Sequence, residues 1–575
     1  MSRNEVKFWT LLLTLNFILF LPGYLLNGDT SQFFPFQGII QGSIYERFKS
    51  VFVRQNMDIF RISIDLFVLV FTYCLLRKHI NSNLYGCLSG IYYVLILSFL
   101  IYYHTVEKIY HIPPQILNDI SLLKLGFFNI GDQSVYRSIL IMLPVLTVLA
   151  LLVLAVMKLT VYTRDIVPGV FSKTILWVLG LLITVNTLKS GITATPEHTF
   201  QGTFALMAGS VKSSADSRRN LRNFTVEGIN RELNYNAYTL NSKPDIYLIF
   251  MESYGKILFE DPYLKDAFIK CLDSCAVVIS GQGWNMASGF SVSPVSGGKS
   301  WVSYTSVMFG FNIRNQGTYN AMLKDPAITY YDNIFRVLHN NGYKTFRLNA
   351  MPENSDMKVP LETYSRFYGI DQWINFRDLK YTGRLYGFGP SPPDQYSINF
   401  ADEYIRKSHT EPYALFFITQ TTHHPFHSPD TIAVDWRSLN YDRDSSKYHA
   451  MVFLKKPTIR DYRKAVCYDV RTLTRFISGK TGSNAIFVVI GDHQPPVIAG
   501  KLTGFETPVH IICRDREFTE AFYKYGLRAG LKPDRHGAPI HHEGIYSMFM
   551  REFIRLYGNY PGGLPEYRPY GVLIN

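Results

Sequence analysis

Long apolar segments are concentrated in the first 190 residues of this 575-residue chain, and that uneven distribution limits the folds available to it. Five segments are candidate membrane-spanning helices, because a span needs about 20 mostly apolar residues. They are residues 8–26, 62–76, 84–103, 139–157 and 170–188. The second is the weakest candidate, since Arg61 and Asp65 lie at its start. No small-residue cleavage site follows the first, which favours an anchor over a signal peptide.

The basic residues between these segments predict how the chain crosses the membrane. Arg3, Arg77 and Lys158, with their basic neighbours, fall on one side in short loops, whereas the other side spreads a similar number over longer loops. The positive-inside rule therefore places the N-terminus in a bacterial cytoplasm. Because the number of segments is odd, we expect everything after Leu188 to lie outside the cytoplasmic (inner) membrane.

The net charge of +13 is open to two interpretations. It is typical of a membrane protein with basic loops, and it also favours attraction to anionic lipid headgroups or phosphorylated substrates. The sequence contains no zinc-finger spacing, no aromatic RNA-binding motif and no basic helical stripe, so nucleic acid is not an expected partner.

Three parts follow one another along the chain. Residues 1–190 are predicted to form a five-helix membrane domain, residues 191–243 a linker, and residues 244–575 an exported domain. Within the linker, 200–211 is apolar enough for an interfacial helix, and a partly ordered linker is the alternative. From Pro244 on, strand-like runs alternate with helical patterns, which predicts an α/β domain with a mostly parallel sheet. We expect the Gly- and Ser-rich stretch 280–300 to be a loop.

Three strand-like apolar runs in the exported domain each lead into residues that bind metals or substrates. The runs are Asp245–Met251, Tyr413–Ile418 and Ala485–Ile490, and the residues beyond them are Glu252, His423, His424, Asp492 and His493. Buried parallel strands are continuously apolar, and α/β sheets bind ligands at the carboxyl ends of their strands.

Carboxylate and imidazole ligands suit zinc or manganese. We therefore predict that Glu252, Asp492 and His493 bind one divalent ion, with a second ion as an open possibility. The alternative for Glu252 is a carboxylate placed at a helix start, where the helix dipole favours it.

A Ser- and Gly-rich segment, SPVSGGKSW, supplies the candidate nucleophiles Ser296 and Ser300. Ser300 lies at a predicted helix start, where backbone N–H groups can hold an anionic group and Lys299 is adjacent. Coordination to a metal can deprotonate such a hydroxyl without a separate base. The alternative is that Ser300 is an ordinary helix N-cap.

Other residues are candidates for contacts with substrate. His423 and His424 precede Pro425 in a predicted turn, and an imidazole there can bind a phosphoryl oxygen or protonate a leaving alcohol. Arginine can bind phosphate through two parallel hydrogen bonds. The remaining candidates are Arg347, Asn349, Asp394, His541 and His542.

Two of the six cysteines, Cys271 and Cys275, are predicted to lie in a hairpin, CLDSC. A disulfide between them is permitted in an exported domain, and two free thiols are equally consistent with the sequence.

These motifs together resemble those of the membrane-anchored sulfatase-fold transferases of the alkaline phosphatase superfamily, such as lipoteichoic acid synthase and the lipid A phosphoethanolamine transferases. The matching residues are Glu252, Gly297–Ser300 (GGKS), His423–Phe426 (HHPF), Asp492 and His493. The resemblance implies five N-terminal helices, an exported sulfatase-like domain, a metal and a hydroxyl nucleophile. Relatives usually have Thr where this chain has Ser300. The Cys/Ser-x-Pro-x-Arg signature of true sulfatases is absent.

The resemblance implies that the protein transfers a phospho-headgroup, phosphoethanolamine or phosphoglycerol, from a membrane phospholipid to an envelope glycan or lipid. Ser300 would carry the group as a covalent intermediate, and His423 would assist. A membrane-anchored sulfatase or phosphodiesterase is the alternative enzyme. The complete set of Glu252, Ser300, Asp492 and His493 argues against a non-catalytic scaffold.

The predicted topology can be tested with reporter fusions after Leu188. A reporter that is active only outside the cytoplasm should be active there, because the loop charges place this point beyond the inner membrane. Fusions after Lys78, on the predicted cytoplasmic side, are the control and should show the opposite pattern. Activity of a cytoplasm-only reporter after Leu188 would contradict the five-segment topology.

Overall fold

The computed structural model divides the chain into two compact units, Met1–Asp216 and Ser217–Asn575. The division falls inside the segment predicted to be the linker. The residues that the structure describes are 2–26, 43–44, 61–110, 113–120, 135–166, 170–190, 198–222, 233–352, 359–387, 390–441, 457–496, 498–499, 503–560 and 562–574.

Helices make up most of the described first unit. Five are apolar: α1 (Arg3–Leu26), α2 (Ile64–Leu76), α3 (Ser82–Tyr110), α4 (Val135–Ile166) and α5 (Val170–Ser190). The sixth, α6 (Thr203–Arg222), is more polar and extends past the boundary between the units. Four of the described helices, α1, α3, α4 and α5, are long and apolar enough to cross a membrane. The weakest predicted segment forms α2, whose 13 residues extend about 20 Å, less than the roughly 30 Å of a hydrocarbon core.

The predicted interfacial segment forms a short strand and the start of a helix. Strand β1 (Ile62–Ser63) pairs in parallel with β2 (Phe200–Gln201), and α6 follows at once. The Asp65 carboxylate accepts the backbone N–H groups of Thr203 (2.5 Å) and Phe204 (3.2 Å). These groups have no partner within a helix, so Asp65 caps α6 and ties this segment to the first unit.

The second unit is an α/β domain, as predicted. Its strands are β3 (Thr239–Leu240), β4 (Asp245–Met251), β5 (Asn285–Val292), β6 (Phe311–Asn312), β7 (Lys344–Asn349), β8 (Gln372–Asn375), β9 (Tyr413–Ile418), β10 (Ala485–Gly491), β11 (Glu506–Cys513), β12 (Arg528–Ala529), β13 (Ile540–His541), β14 (Gly558–Asn559) and β15 (Val572–Leu573). Its helices are α7 (Ile257–Glu260), α8 (Lys265–Gly281), α9 (Ser300–Phe309), α10 (Gln316–Lys324), α11 (Ile334–Asn340), α12 (Leu361–Tyr368), α13 (Asp394–Ser408), α14 (Ile459–Ser478), α15 (Arg516–Glu520) and α16 (His542–Tyr557), with short 3-10 turns between some of them.

One nine-stranded sheet organises the described part of this domain. Its order is β12-β5-β11-β10-β4-β9-β7-β8, and β13 pairs with β5. Strands β4, β7, β8, β9 and β10 are parallel, whereas β11 runs antiparallel to both of its neighbours. Strand β11 is antiparallel to β10, and β5 is antiparallel to β11, so β5 runs parallel to β10 and β4. The carboxyl ends of β4, β5, β9 and β10 therefore meet at one edge of the sheet.

Burial on both faces explains why the central strands are continuously apolar. Ile246, Leu248 and Phe250 of β4 belong to the apolar core on one side of the sheet, and Tyr247 and Ile249 belong to the core on the other. Side chains alternate between the faces of a strand, so a sheet covered by helices on both sides needs apolar residues at every position.

Two local predictions were wrong. The stretch expected to be loop contains the eight-residue strand β5, whose sequence is NMASGFSV. The expected cysteine hairpin is part of α8, where Cys271 and Cys275 are four residues apart and therefore on successive turns. All six cysteines are free thiols.

Candidate metal-assisted active site

The register between β4 and β10 places two carboxylates side by side at the edge of the sheet. Gly491 pairs with Met251, so the next residues in each strand are Asp492 and Glu252. One ligand atom each from Glu252, Asp492 and His493 lies within 4.8 Å of the others. All three residues are buried. The predicted metal ligands therefore come together in the fold.

A strained turn after β4 fixes this pair of strand ends. Ser253 has a φ of 58°, a left-handed conformation that is uncommon for a residue with a side chain. Its backbone N–H donates to Asp492 Oδ1 at 2.8 Å, and its hydroxyl donates to Glu252 Oε1 at 3.1 Å. Ser253 thus orients both carboxylates, and the strain occurs where function would be expected to require it.

Two glycines allow the strand ends to approach closely. A Cβ on Gly491 would lie 2.0 Å from the Tyr254 carbonyl oxygen, and a Cβ on Gly255 would lie 1.9 Å from Gln494 Oε1. A side chain at Gly491 would collide with the backbone, and one at Gly255 would have to displace the Gln494 side chain and would still lie 3.0 Å from the Gln494 Cα. These glycines therefore set the distance between the Glu252 turn and the Asp492 turn.

The hydrogen bonds of His493 determine which ring nitrogen faces the cluster. Its Nδ1 lies 2.8 Å from the Gln494 carbonyl oxygen, which can only accept, so Nδ1 carries the proton. Its Nε2 is then a lone-pair donor, 3.3 Å from Glu252 Oε1 and 3.4 Å from Asp492 Oδ2. A carbonyl that fixes the tautomer of a ligating histidine is a common feature of metal sites.

Ser300 directs its hydroxyl into the same cluster. Its Oγ lies 3.1 Å from Glu252 Oε2 and 3.1 Å from His493 Nε2. Ser300 is the first residue of α9, and the N-cap is Lys299, which has a left-handed backbone and makes no side-chain cap. The N-cap alternative for Ser300 is therefore wrong, as is the helix-start alternative for Glu252, which follows a strand.

The electrostatics of the cluster fit a bound cation. Burial, and next the charge of Glu252, raise the pKa of Asp492 to about 8, and burial raises the pKa of Glu252 as well. Asp492 Oδ2 is buried and has no hydrogen-bond partner among the described residues. Several buried acceptors share the single hydroxyl proton of Ser300, so a divalent ion suits this set of donors better than protons do.

His423 lies beside the cluster on the turn after β9. Its Nδ1 is 2.9 Å from the His424 carbonyl oxygen, so Nδ1 carries the proton in the neutral ring. Burial lowers the pKa of His423, and the charge of Asp492 acts in the opposite direction. His424 is half-buried, with its ring 5.6 Å from that of Phe426.

The other predicted contact residues lie outside the cluster. Arg347 is buried with its guanidinium 3.8 Å from the ring centre of Phe416, and the β7–β9–β4 register places it level with Leu248, well short of the strand ends. Asn349, the last residue of β7, is half-buried at the edge of the sheet. The ring of His541 packs 4.7 Å from that of Tyr570.

Asp394 is enclosed by protein. It is 1% exposed, and its carboxylate accepts the backbone N–H groups of Gln420 and Thr421. Lys299, at the start of α9, is also buried.

Several residues support the site from outside the cluster. Ser293 and Ser303 were not predicted to do so, and His542 was predicted only as a contact with substrate. The hydroxyls of Ser293 and Ser303 donate to the Asp492 carbonyl at 2.6 and 2.8 Å. His542 Nε2 donates to the Gly491 carbonyl at 3.2 Å, so its Nδ1 accepts the hydroxyl of Ser291 at 2.8 Å. Burial lowers the pKa of His542 to about 3, which keeps the ring neutral.

Part of the second unit matches a known protein family. Residues 282–513 match the family model "Sulfatase", which confirms the predicted resemblance to sulfatase-fold proteins. A search of curated protein sequences finds no significant match.

Solved structures of several envelope enzymes are similar to this one. A lipooligosaccharide phosphoethanolamine transferase A from Neisseria meningitidis is 13% identical, with 94% of each chain covered and a TM-score of 0.47. A lipoteichoic acid synthase from Listeria monocytogenes is 15% identical, with 61% of this chain and 81% of that chain covered and a TM-score of 0.37. The zinc complex of the periplasmic domain of an EptC protein from Escherichia coli is 13% identical, with 58% of this chain and 87% of that chain covered and a TM-score of 0.36.

Metal dependence can be tested by thermal unfolding. Adding Zn²⁺ or Mn²⁺ to chelator-treated protein should raise its Tm, because an ion that binds only the folded state at 100 times its Kd adds about 2.7 kcal/mol. Asp492→Asn should lose most of that shift. Asp402→Asn, which alters a buried carboxylate bonded to Tyr247 and Tyr413, is the matched control and should keep it. An undiminished shift in Asp492→Asn would rule out this cluster as the binding site.

Proposed function

We propose that the protein is a metal-dependent transferase that moves phosphoethanolamine or phosphoglycerol from a membrane phospholipid to an envelope glycan or lipid. The observation that carries the proposal is the Ser300 hydroxyl, held 3.1 Å from both Glu252 and His493. We further propose that the domain acts outside the inner membrane, where such a donor and such an acceptor are available.

Glu252, Asp492 and His493 would hold the ion, with the Ser300 oxygen as a fourth donor. A bound zinc or manganese ion supplies Lewis acidity, which lowers the pKa of the serine hydroxyl and polarises the phosphoryl group. The ring nitrogen of His493 is already in the tautomer that ligation needs. Ser253 and the Gln494 carbonyl hold the donor atoms in place, so little rearrangement is needed.

The transfer would proceed in two displacements at phosphorus. Ser300 Oγ forms a bond to the headgroup phosphorus, and the bond from phosphorus to the diacylglycerol oxygen breaks. His423, with Nδ1 bonded to a carbonyl, would hold the transferred proton at Nε2 and give it to the departing alcohol oxygen. The acceptor hydroxyl oxygen then forms a bond to the same phosphorus, the bond from phosphorus to Ser300 Oγ breaks, and His423 Nε2 would take the acceptor's proton and give it to Ser300 Oγ.

The start of α9 would bind the non-bridging phosphoryl oxygens. The first N–H groups of a helix lack partners within the helix, and the positive end of the helix dipole favours an anion. Ser300 is the first helical residue, so the nucleophile and these donors belong to the same turn. Lys299 adds a positive charge at this point.

A sulfatase or phosphodiesterase activity is the second candidate, because the matching family model is that of the sulfatases. The same nucleophile would serve, with water in place of the acceptor hydroxyl. Lipid and glycan mass spectrometry in H₂¹⁸O separates the two reactions. Transfer moves the unlabelled headgroup to an acceptor, whereas hydrolysis releases an ¹⁸O-labelled phosphate or sulfate.

Replacing Ser300 tests the nucleophile. Ser300→Ala should abolish turnover and leave the fold intact, whereas Ser300→Thr should keep partial activity because the hydroxyl remains. A phosphoryl adduct on Ser300 is expected by peptide mass spectrometry under slow turnover. Ser296→Ala is the matched control from the same loop and should remain active. Near-normal turnover in Ser300→Ala with an inactive Ser296→Ala would transfer the nucleophile to Ser296, and full activity in both would indicate direct attack by water.

A further inference from the structure

Two buried carboxyl groups behind the His423 turn have no role in the chemistry described so far. Asp394 is the first residue of α13, and Asp469 lies within α14. They are 1% and 0% exposed, and they lie close enough for a hydrogen bond between their carboxyl groups. Two carboxylates cannot bond to one another, so such a bond requires a proton on one of them.

Asp394 has the surroundings of an ionised carboxylate. Its oxygens accept the N–H of Gln420 at 2.9 and 3.0 Å and the N–H of Thr421 at 2.7 Å. Backbone N–H groups only donate, and bonds of this kind favour the charged form of a carboxyl. These bonds fix the backbone of the turn that leads to His423.

Asp469 has the opposite surroundings. No backbone N–H among the described residues donates to either of its buried oxygens. Its neighbours are the Asp394 carboxyl and the hydroxyls of Thr422 and Thr419, which can accept as well as donate. Burial, followed by the charge of Asp394, raises its pKa well above the ordinary value. Tyr468, on the same helix as Asp469, interacts with both carboxyl groups and with Tyr386, and it is neutral because burial raises its pKa.

A chain of hydrogen bonds connects the pair region to the candidate active site. The hydroxyls of Thr419 and Thr422 are 2.8 Å apart, and Thr419 Oγ1 accepts the backbone N–H of Glu252 at 3.0 Å. The His423 N–H donates to the Gln420 carbonyl at 3.1 Å. The turn from Thr419 to His423 is therefore held between Asp394 on one side and the metal-ligand turn on the other.

We propose that Asp394 and Asp469 share one proton, carried by Asp469, and act as positioning residues that hold the Thr419–His423 turn in its active geometry. The inference rests on the function proposed for His423. The alternative is a cation bound between the two carboxyl groups in place of the shared proton. Asp394 already accepts three hydrogen bonds and a proton neutralises Asp469, which favours the proton.

The two asparagine variants should differ sharply in activity. Asp469→Asn keeps an N–H donor towards Asp394, so turnover of a chromogenic phosphodiester should stay close to wild type. Asp394→Asn replaces an acceptor with an N–H₂ group that faces backbone donors, and kcat should fall by on the order of 10²-fold with little change in KM. Asp469→Ala, which removes the donor, should resemble Asp394→Asn. Loss of activity in both asparagine variants, together with a cation-dependent Tm in wild type that they lack, would establish a cation instead.

The pH dependence of the Tm tests whether Asp469 carries a proton in the folded protein, and this measurement needs no substrate. The raised pKa of Asp469 means that, as pH rises above its ordinary value of 3.8, the unfolded chain releases a proton that the folded protein keeps. The stability of the wild-type protein therefore falls as the pH rises from 3.8 towards the raised pKa of Asp469 in the folded protein. Asp469→Asn has no such proton, so its Tm should equal that of wild type near pH 4 and exceed it near pH 8.

Asp402→Asn, at a buried carboxylate on α13, is the matched control. Burial opposes ionisation of Asp402, but Lys480 and two tyrosines keep its pKa below the ordinary value. That carboxylate stabilises the fold above its ordinary pKa, so Asp402→Asn should lower the Tm at pH 8. A decrease of the same sign in Asp469→Asn would overturn the shared proton. Because this comparison uses no substrate, it separates failure of the inference from failure of the proposed reaction.

Discussion

The parallel pairing of β4 with β10 is the constraint on which the candidate site depends. It brings Glu252 and Asp492 to the same level at one edge of the sheet, and a shift of one residue would turn either strand's alternating side chains towards the wrong face. Seven paired positions fix that register, and every residue in them except Asp245 is buried. The apolar core therefore positions the ligands, although no core residue has chemistry of its own.

This pairing places two carboxyl groups in a buried position, which is electrostatically unfavourable. Burial raises the pKa of both Asp492 and Glu252, and the charge of Glu252 raises the pKa of Asp492 further. Ser253 adopts a strained backbone to donate to this pair, and Gly255 and Gly491 allow the approach that makes the pair possible. Strain, close backbone contact and perturbed pKa values coincide here, which is the combination expected of a functional site.

The sequence predicted the parts of the fold that depend on continuous apolar runs. Strands β4, β9 and β10 occur where their runs are, because strands buried on both faces have no polar position to interrupt the pattern. Strand β5 could not be predicted in this way, since NMASGFSV contains small residues selected by close neighbours such as Leu527 beside Gly289. The same limit applies to the site. Metal-binding residue types at strand ends are visible in sequence, whereas the contributions of Ser253, Ser303 and His542 depend on residues far away along the chain.

Asp492 connects the proposed metal ligands to the proposed nucleophile, Ser300, through its backbone as well as its side chain. Its carbonyl accepts the hydroxyl of Ser303, one turn after Ser300 on α9, and the hydroxyl of Ser293 at the end of β5. The helix that carries the nucleophile is therefore fixed to the strand that carries a metal ligand before any substrate binds. Donors and charges that are already in place need no reorganisation during the reaction, and this is the main way in which such sites stabilise a transition state. The short side chains of the SPVSGGKS segment serve this purpose, because only small residues let the nucleophile helix, β5 and β10 meet around one carbonyl group.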